Sequence, residues 1–87
     1  MKKRAVKIGP NDPVYAIGIV SRLLGIPEWT LRSLEKEGLV RPKRINKKIR
    51  VYSYKDIQHL EYIHYLMDEK GVNISGIKII LRMEVRE

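Results

Sequence analysis

The chain has 87 residues, with 18 Lys plus Arg, 10 Asp plus Glu and no Cys. That length suits one domain around one core, the lack of thiols excludes a disulfide framework or zinc–cysteine centre, and no apolar run approaches the roughly 20 residues that span a bilayer. Met1-Lys2-Lys3-Arg4 is not followed by the apolar stretch of a secretory signal, so a soluble cytoplasmic domain with no membrane partner is expected. The formal charge of +8 is unevenly placed. Residues 1–50 hold thirteen Lys or Arg against four acids, whereas residues 51–87 hold five against six. A cationic front half joined to a near-neutral back half is expected where one face meets a polyanion.

Residues 1–13 read as a flexible basic arm: Gly9-Pro10 and Asp12-Pro13 interrupt them and no periodicity is sustained. Ile17, Val20 and Leu24 then fall at helical spacing, and Gly25 is placed to end a helix of about two turns. Pro27 fits the first position of a second helix, Glu28 its positive end, and Leu31 and Leu34 one apolar side. Gly38 closes that helix, and Leu39 and Val40 fold back as an apolar tail. Two short helices joined by a tight Gly turn match a helix-turn-helix. The exposed side of the second helix offers Trp29, Arg32, Ser33 and Lys36.

Residues 41–53 contain six basic residues in their first ten positions and no acid. Alternation from Ile49 onward and a turn at Asn46-Lys47 predict a two-stranded hairpin, a wing, that leans on the helices and carries Arg44, Lys47, Lys48 and Arg50. Trp29 has the alternative of packing against the base of this wing. Ser53 and Asp56 have the spacing of a capping box. The helix they open carries Ile57, Leu60, Ile63 and Met67 and ends at Gly71, and Ser75 is expected to cap a last helix bearing Ile77, Ile80 and Leu81. The predicted fold is mainly α, a winged helix-turn-helix over residues 14–82, with 83–87 as a tail.

Catalysis finds no support in these residues. His59 and His64 are five apart and do not share the helix face that paired metal ligands need; His59 reads as a surface residue and His64 as surface or hydrogen-bonded. The glycines sit at element ends rather than in a phosphate-cradling loop, and no metal or cofactor is expected. Duplex recognition has matching parts: a short helix with Arg32 can enter a major groove, and a basic hairpin can straddle phosphates.

The run from Ile17 to Ile57 resembles the DNA-binding domain of the MerR family of bacterial regulators. The resemblance rests on Ile17-Gly18, Leu24-Gly25, Thr30-Leu31-Arg32, Glu35, Glu37-Gly38-Leu39, Pro42, Arg44, Arg50, Tyr52-Ser53 and Asp56. The segment Gly71 to Lys78 is similar to the branch of heat-shock repressors and glutamine-synthetase repressors. The resemblance implies a transcriptional regulator, expected to be a repressor, that binds an inverted repeat of double-stranded DNA as a homodimer. It places the second helix, about residues 27–37, in the major groove and the wing, 41–53, on the flanking backbone. Arg32, Arg44 and Arg50 would approach DNA, with Tyr52 near the wing base.

The chain departs from the family at Ser33-Leu34, where one or two Tyr are usual, and at Lys47-Lys48, where the wing usually has Gly. The long dimerising helix and effector domain of most members find no residues here to form them, so the expected signal comes from a chaperone or another protein co-regulator, or from a pairing surface, rather than a small ligand. Two other readings stay open: an architectural protein resembling the phage excisionases, and an adaptor whose third and fourth helices bind a protein.

Overall fold

The computed structural model describes residues 7–85. Four helices surround one core, and a small antiparallel sheet closes its side. A two-residue strand, β1 (Tyr15–Ala16), runs directly into α1 (Ile17–Leu24); α2 spans Glu28–Lys36; strands β2 (Lys43–Ile45) and β3 (Ile49–Tyr52) form the wing; α3 (Tyr54–Asp68) and α4 (Ile74–Val85) complete the chain. The fold is the expected winged helix-turn-helix.

The turn between α1 and α2 is built from Gly25 and Ser21. Gly25 takes a left-handed conformation, φ 68°, and its amide bonds back to the Ser21 carbonyl. The Ser21 hydroxyl then donates to the Ile26 carbonyl, which fixes the angle at which α2 leaves. Pro27 stands one position before the helix as its N-cap, not in its first turn, because its ψ of 146° is still extended. At the far end Gly38, φ 79°, reverses the chain. The Leu39 amide reaches the Leu34 carbonyl and the Gly38 amide that of Glu35, so carbonyls left open by the end of the helix are satisfied. Leu39 and Val40 are buried, as their apolar character demands.

The sheet has a third strand that the sequence does not announce. Strand β1 pairs with β3 through Tyr15↔Tyr52 and Ala16↔Val51, giving the order β1-β3-β2. A two-residue strand has no alternation to read, and its partner lies more than thirty positions away. The wing therefore does not merely lean on the helices; it is stitched to the residues that enter α1. This stitching extends upstream. The Val14 amide bonds the Tyr52 carbonyl and the Lys55 amide bonds the Pro10 carbonyl, so residues 10–13, expected within a flexible arm, are held by the domain. Residues 1–6 lie outside the described residues. The tail boundary also moves, since α4 continues through Met83 to Val85.

Ser53 and Asp56 form both halves of the capping box at α3: the Asp56 amide donates to the Ser53 hydroxyl at 3.0 Å, and the Ser53 amide to the Asp56 carboxylate at 2.9 Å. The cap of α4 is Asn73 rather than Ser75. Its side-chain oxygen accepts from the Gly76 amide at 2.8 Å, and the helix starts at Ile74. Asn is as good a cap as Ser, and its position one residue ahead of Ile74 lets that side chain turn toward the core.

The core gathers Val20, Leu31, Leu34, Leu60, Ile63 and Ile77, one or more from each helix, together with Tyr52 of β3. Tyr52 was expected at the wing base within reach of DNA. It is instead 0% exposed, because β3 turns that side of the strand inward against the helices. Among the described residues its hydroxyl has no hydrogen-bond partner, and burial raises its pKa to about 12. A buried hydroxyl without a partner costs free energy. Tyr52→Phe is therefore expected to raise stability by about 1 kcal/mol in urea denaturation with an unchanged slope; a loss of that size would show that the hydroxyl has a partner in solution.

Candidate nucleic-acid interface

Helix α2 buries Leu31 and Leu34 and thereby turns Trp29, Arg32 and Lys36 to solvent. Trp29 is 69% exposed, so it does not pack on the wing base. Arg32 pairs with Glu28 one turn earlier at 3.1 Å, but both side chains are nearly half exposed. Such a pair is worth little and releases its Arg readily to a stronger anion. Ser33 is half-buried.

The wing meets α2 through a single acid. Glu35 accepts from Arg44 Nη2 at 2.8 Å through one oxygen and from Arg50 Nε through the other. Arg44 and Arg50 are directly opposed across β2 and β3, so their side chains share the face of the ribbon that looks at α2. Arg32, Glu35, Lys36, Arg44 and Arg50 consequently line one cleft between helix and wing. Four of the nine expected residues, Arg32, Lys36, Arg44 and Arg50, are thus brought together in that cleft, and Ser33 is not among its lining. Trp29 projects from the same helix, Lys47 and Lys48 cap the wing tip, and Tyr52 lies beneath in the core.

The sequence shows Glu35 only as part of the family resemblance, without its role as a link. The signal was the lack of any acid in residues 41–53, which obliges wing arginines that pair at all to do so with another element. The wing turn itself follows Asn46-Lys47 as expected. Both residues have positive φ, 52° and 63°, and the Lys48 amide bonds the Ile45 carbonyl. Lys47 adopts the backbone that Gly would favour and accepts a local strain in exchange for a charge at the tip.

Behind α2 lies a second set of contacts. Lys78 of α4 reaches Glu37 at 2.7 Å. His59, expected at the surface, is half-buried with Nε2 donating to the Leu39 carbonyl at 2.8 Å. These bonds tie the C-terminal end of α2 to α3 and α4, so the exposed helix is supported at its back.

Residues 15–84 match the family described as MerR HTH family regulatory protein. The chain belongs to the MerR family. Among curated proteins it is 34% identical over 83 residues to a putative heat shock protein HspR of Streptomyces coelicolor, a match covering 95% of this chain and 55% of that one. It is 36% identical over 74 residues to the HTH-type transcriptional regulator GlnR of Bacillus anthracis, covering 85% and 57%, and equally to GlnR of Bacillus cereus. This MerR-family chain thus spans about half the length of the curated relatives it matches. The family is one of regulatory proteins, and the GlnR relatives are transcriptional regulators.

The pH dependence of the helix–wing link follows from the Glu35 carboxyl. Burial is the largest single influence on it and pushes its pKa up, but hydrogen bonds and charge from Arg50 and Arg44 together outweigh burial and hold it below the ordinary 4.5. A carboxyl depressed in the folded state contributes stability above its unfolded pKa and loses that contribution as pH falls through the folded value. As pH falls below 4.5 and through that lowered folded value, the wing should therefore detach from α2 before the helices melt. Amide hydrogen exchange should show protection falling first at Ile49–Tyr52, and Glu35→Gln should show the loosened wing already at pH 7. Equal protection of wing and α3 down the whole pH range would count against the link.

Proposed function

We propose that this chain is the sequence-specific, double-stranded DNA-binding domain of a transcriptional repressor, acting as a homodimer on an inverted-repeat operator. The observation that carries the reading is the cleft in which Arg32 and Lys36 of α2 stand beside Arg44 and Arg50 of the wing, with Trp29, Lys47 and Lys48 extending it. Helix α2 enters the major groove, where Arg32 leaves Glu28 for a base edge. Lys36, Lys47 and Lys48 engage phosphates, and Arg44 and Arg50 face the backbone from their seat on Glu35. Ser33 lies at the edge of the contact. Tyr52 acts from below, as a packing residue that keeps β3 on the helices.

The names of the relatives, a heat shock protein and HTH-type transcriptional regulators, support regulation of transcription, and repression is the mode that the family resemblance implies. A protein co-regulator, a chaperone in the heat-shock case, would deliver the signal. The cytoplasm, on the nucleoid when DNA is bound, is the corresponding location.

Selection from a randomised duplex pool, followed by fluorescence anisotropy, tests this. The selected duplex should be an inverted repeat bound about 10³-fold or more tightly than its scrambled version at the same salt. Arg32→Ala should cost ~1–3 kcal/mol on the selected duplex and relax preference at one position in each half-site. Lys48→Ala should weaken all duplexes alike and reduce the salt slope by about one. Equal affinity for selected and scrambled duplex would refute sequence-specific binding, and a strict monomer on DNA by light scattering would refute the dimer.

A further inference from the structure

The outer face of the wing carries aliphatic side chains that the fold does not use. Alternate residues of a strand share a face, and directly opposed residues share it across strands. The registers Lys43↔Val51 and Ile45↔Ile49 put these four on one face, while Arg44 and Arg50 occupy the other, against Glu35. Val51 is buried, yet Ile45 and Ile49 are 47% and 53% exposed. They stand immediately behind the turn that carries Lys47 and Lys48. A strand at this place needs β-branched residues, which Thr supplies equally well. Two half-exposed isoleucines at the free end of a ribbon add little to the core, so folding alone does not account for them.

Their surroundings define what would cover them. Residues 41–53 contain no acid, and Lys43, Lys47 and Lys48 are all exposed around the pair. An apolar pair ringed by cations is complementary to a minor groove, whose walls are sugar and whose two rims are phosphate. The arginines on the inner face are held by Glu35, so the cations left around the outer pair are Lys43, Lys47 and Lys48.

We propose that Ile45 and Ile49 form an aliphatic wedge that enters the minor groove flanking each half-site, with Lys43, Lys47 and Lys48 on its phosphate rims. This rests on the duplex-binding reading and adds a preference to it. The wedge favours steps without the guanine N2 amino group, which projects from the floor of the minor groove. Selectivity would therefore arise at base pairs that no hydrogen-bonding side chain reads.

Short alternating G·C and I·C duplexes isolate this contact, because inosine shows the same major-groove edge as guanine but lacks the N2 amino group. In anisotropy titrations at one salt concentration the wild-type chain should bind I·C roughly five- to tenfold more tightly than G·C. The double variant Ile45→Thr, Ile49→Thr should lose that preference while keeping its salt slope, and Ile45→Val with Ile49→Val should retain it. Lys47→Ala with Lys48→Ala should weaken both duplexes equally and lower the slope by about two. Equal wild-type affinity for the two duplexes, or a preference that survives the Thr variant, overturns the wedge and leaves DNA binding intact. Loss of binding to both duplexes by the wild type at low salt would instead remove the DNA reading and the wedge together. A Thr variant that changes the mass in light scattering but not the preference would assign the pair to contact with a second copy and also overturn the proposal. If circular dichroism shows the Thr variant unfolded, the wild-type preference and the single Ile49→Thr variant decide.

Discussion

The helix–wing geometry depends on one carboxylate held between two guanidiniums. Glu35 sits on the helix that faces outward, and Arg44 and Arg50 come from two strands of the ribbon beside it. Neither strand buries enough area near its tip to be positioned by packing, and a short ribbon is marginal by itself. The ion pair therefore does what the core cannot reach far enough to do: it sets the spacing between helix and wing. Because Glu35 is largely covered, solvent screens this link less than it screens the exposed Arg32–Glu28 pair on the same helix.

That arrangement also sorts the cations by availability. Arg44 and Arg50 are pre-placed but partly neutralised, whereas Lys36, Lys47 and Lys48 are exposed and Arg32 is held only by a weak neighbour pair. A polyanion approaching this surface meets mobile charges first and fixed ones second. Acids elsewhere serve the scaffold: Asp56 caps α3 and Glu37 ties α2 to Lys78. The charge asymmetry of the sequence is thus an asymmetry of surfaces, with the cationic half forming the exposed helix and wing and the near-neutral half forming the support.

The support is rigid for reasons that local chemistry explains well. Gly25 and Gly38 end helices through positive φ, and Ser53 and Asp56 satisfy each other's amides. These are short-range patterns of three to five residues, and each was legible in the order of the amino acids. The failures were of the opposite kind. Strand β1 is two residues long and exists only because Tyr52 and Val51 present a free edge to it. Asn73 displaced Ser75 as a cap because the path of the chain from Gly71 into α4, not propensity, decides which polar residue meets the first free amide.

The sequence by itself determined the fold class, the two short helices with their tight turn, the basic hairpin and the family, because each is written in periodicity, punctuation and charge over neighbouring residues. Tertiary structure alone decided which side chains of the wing face outward. Tyr52 went from an expected contact to a core residue, Glu35 from one residue of a family pattern to the link between helix and ribbon, and Ile45 with Ile49 from strand formers to an exposed pair. The physical reason is common to all three. A strand's alternation shows that its residues divide into two faces, but only the partner that packs against it settles which face is inside.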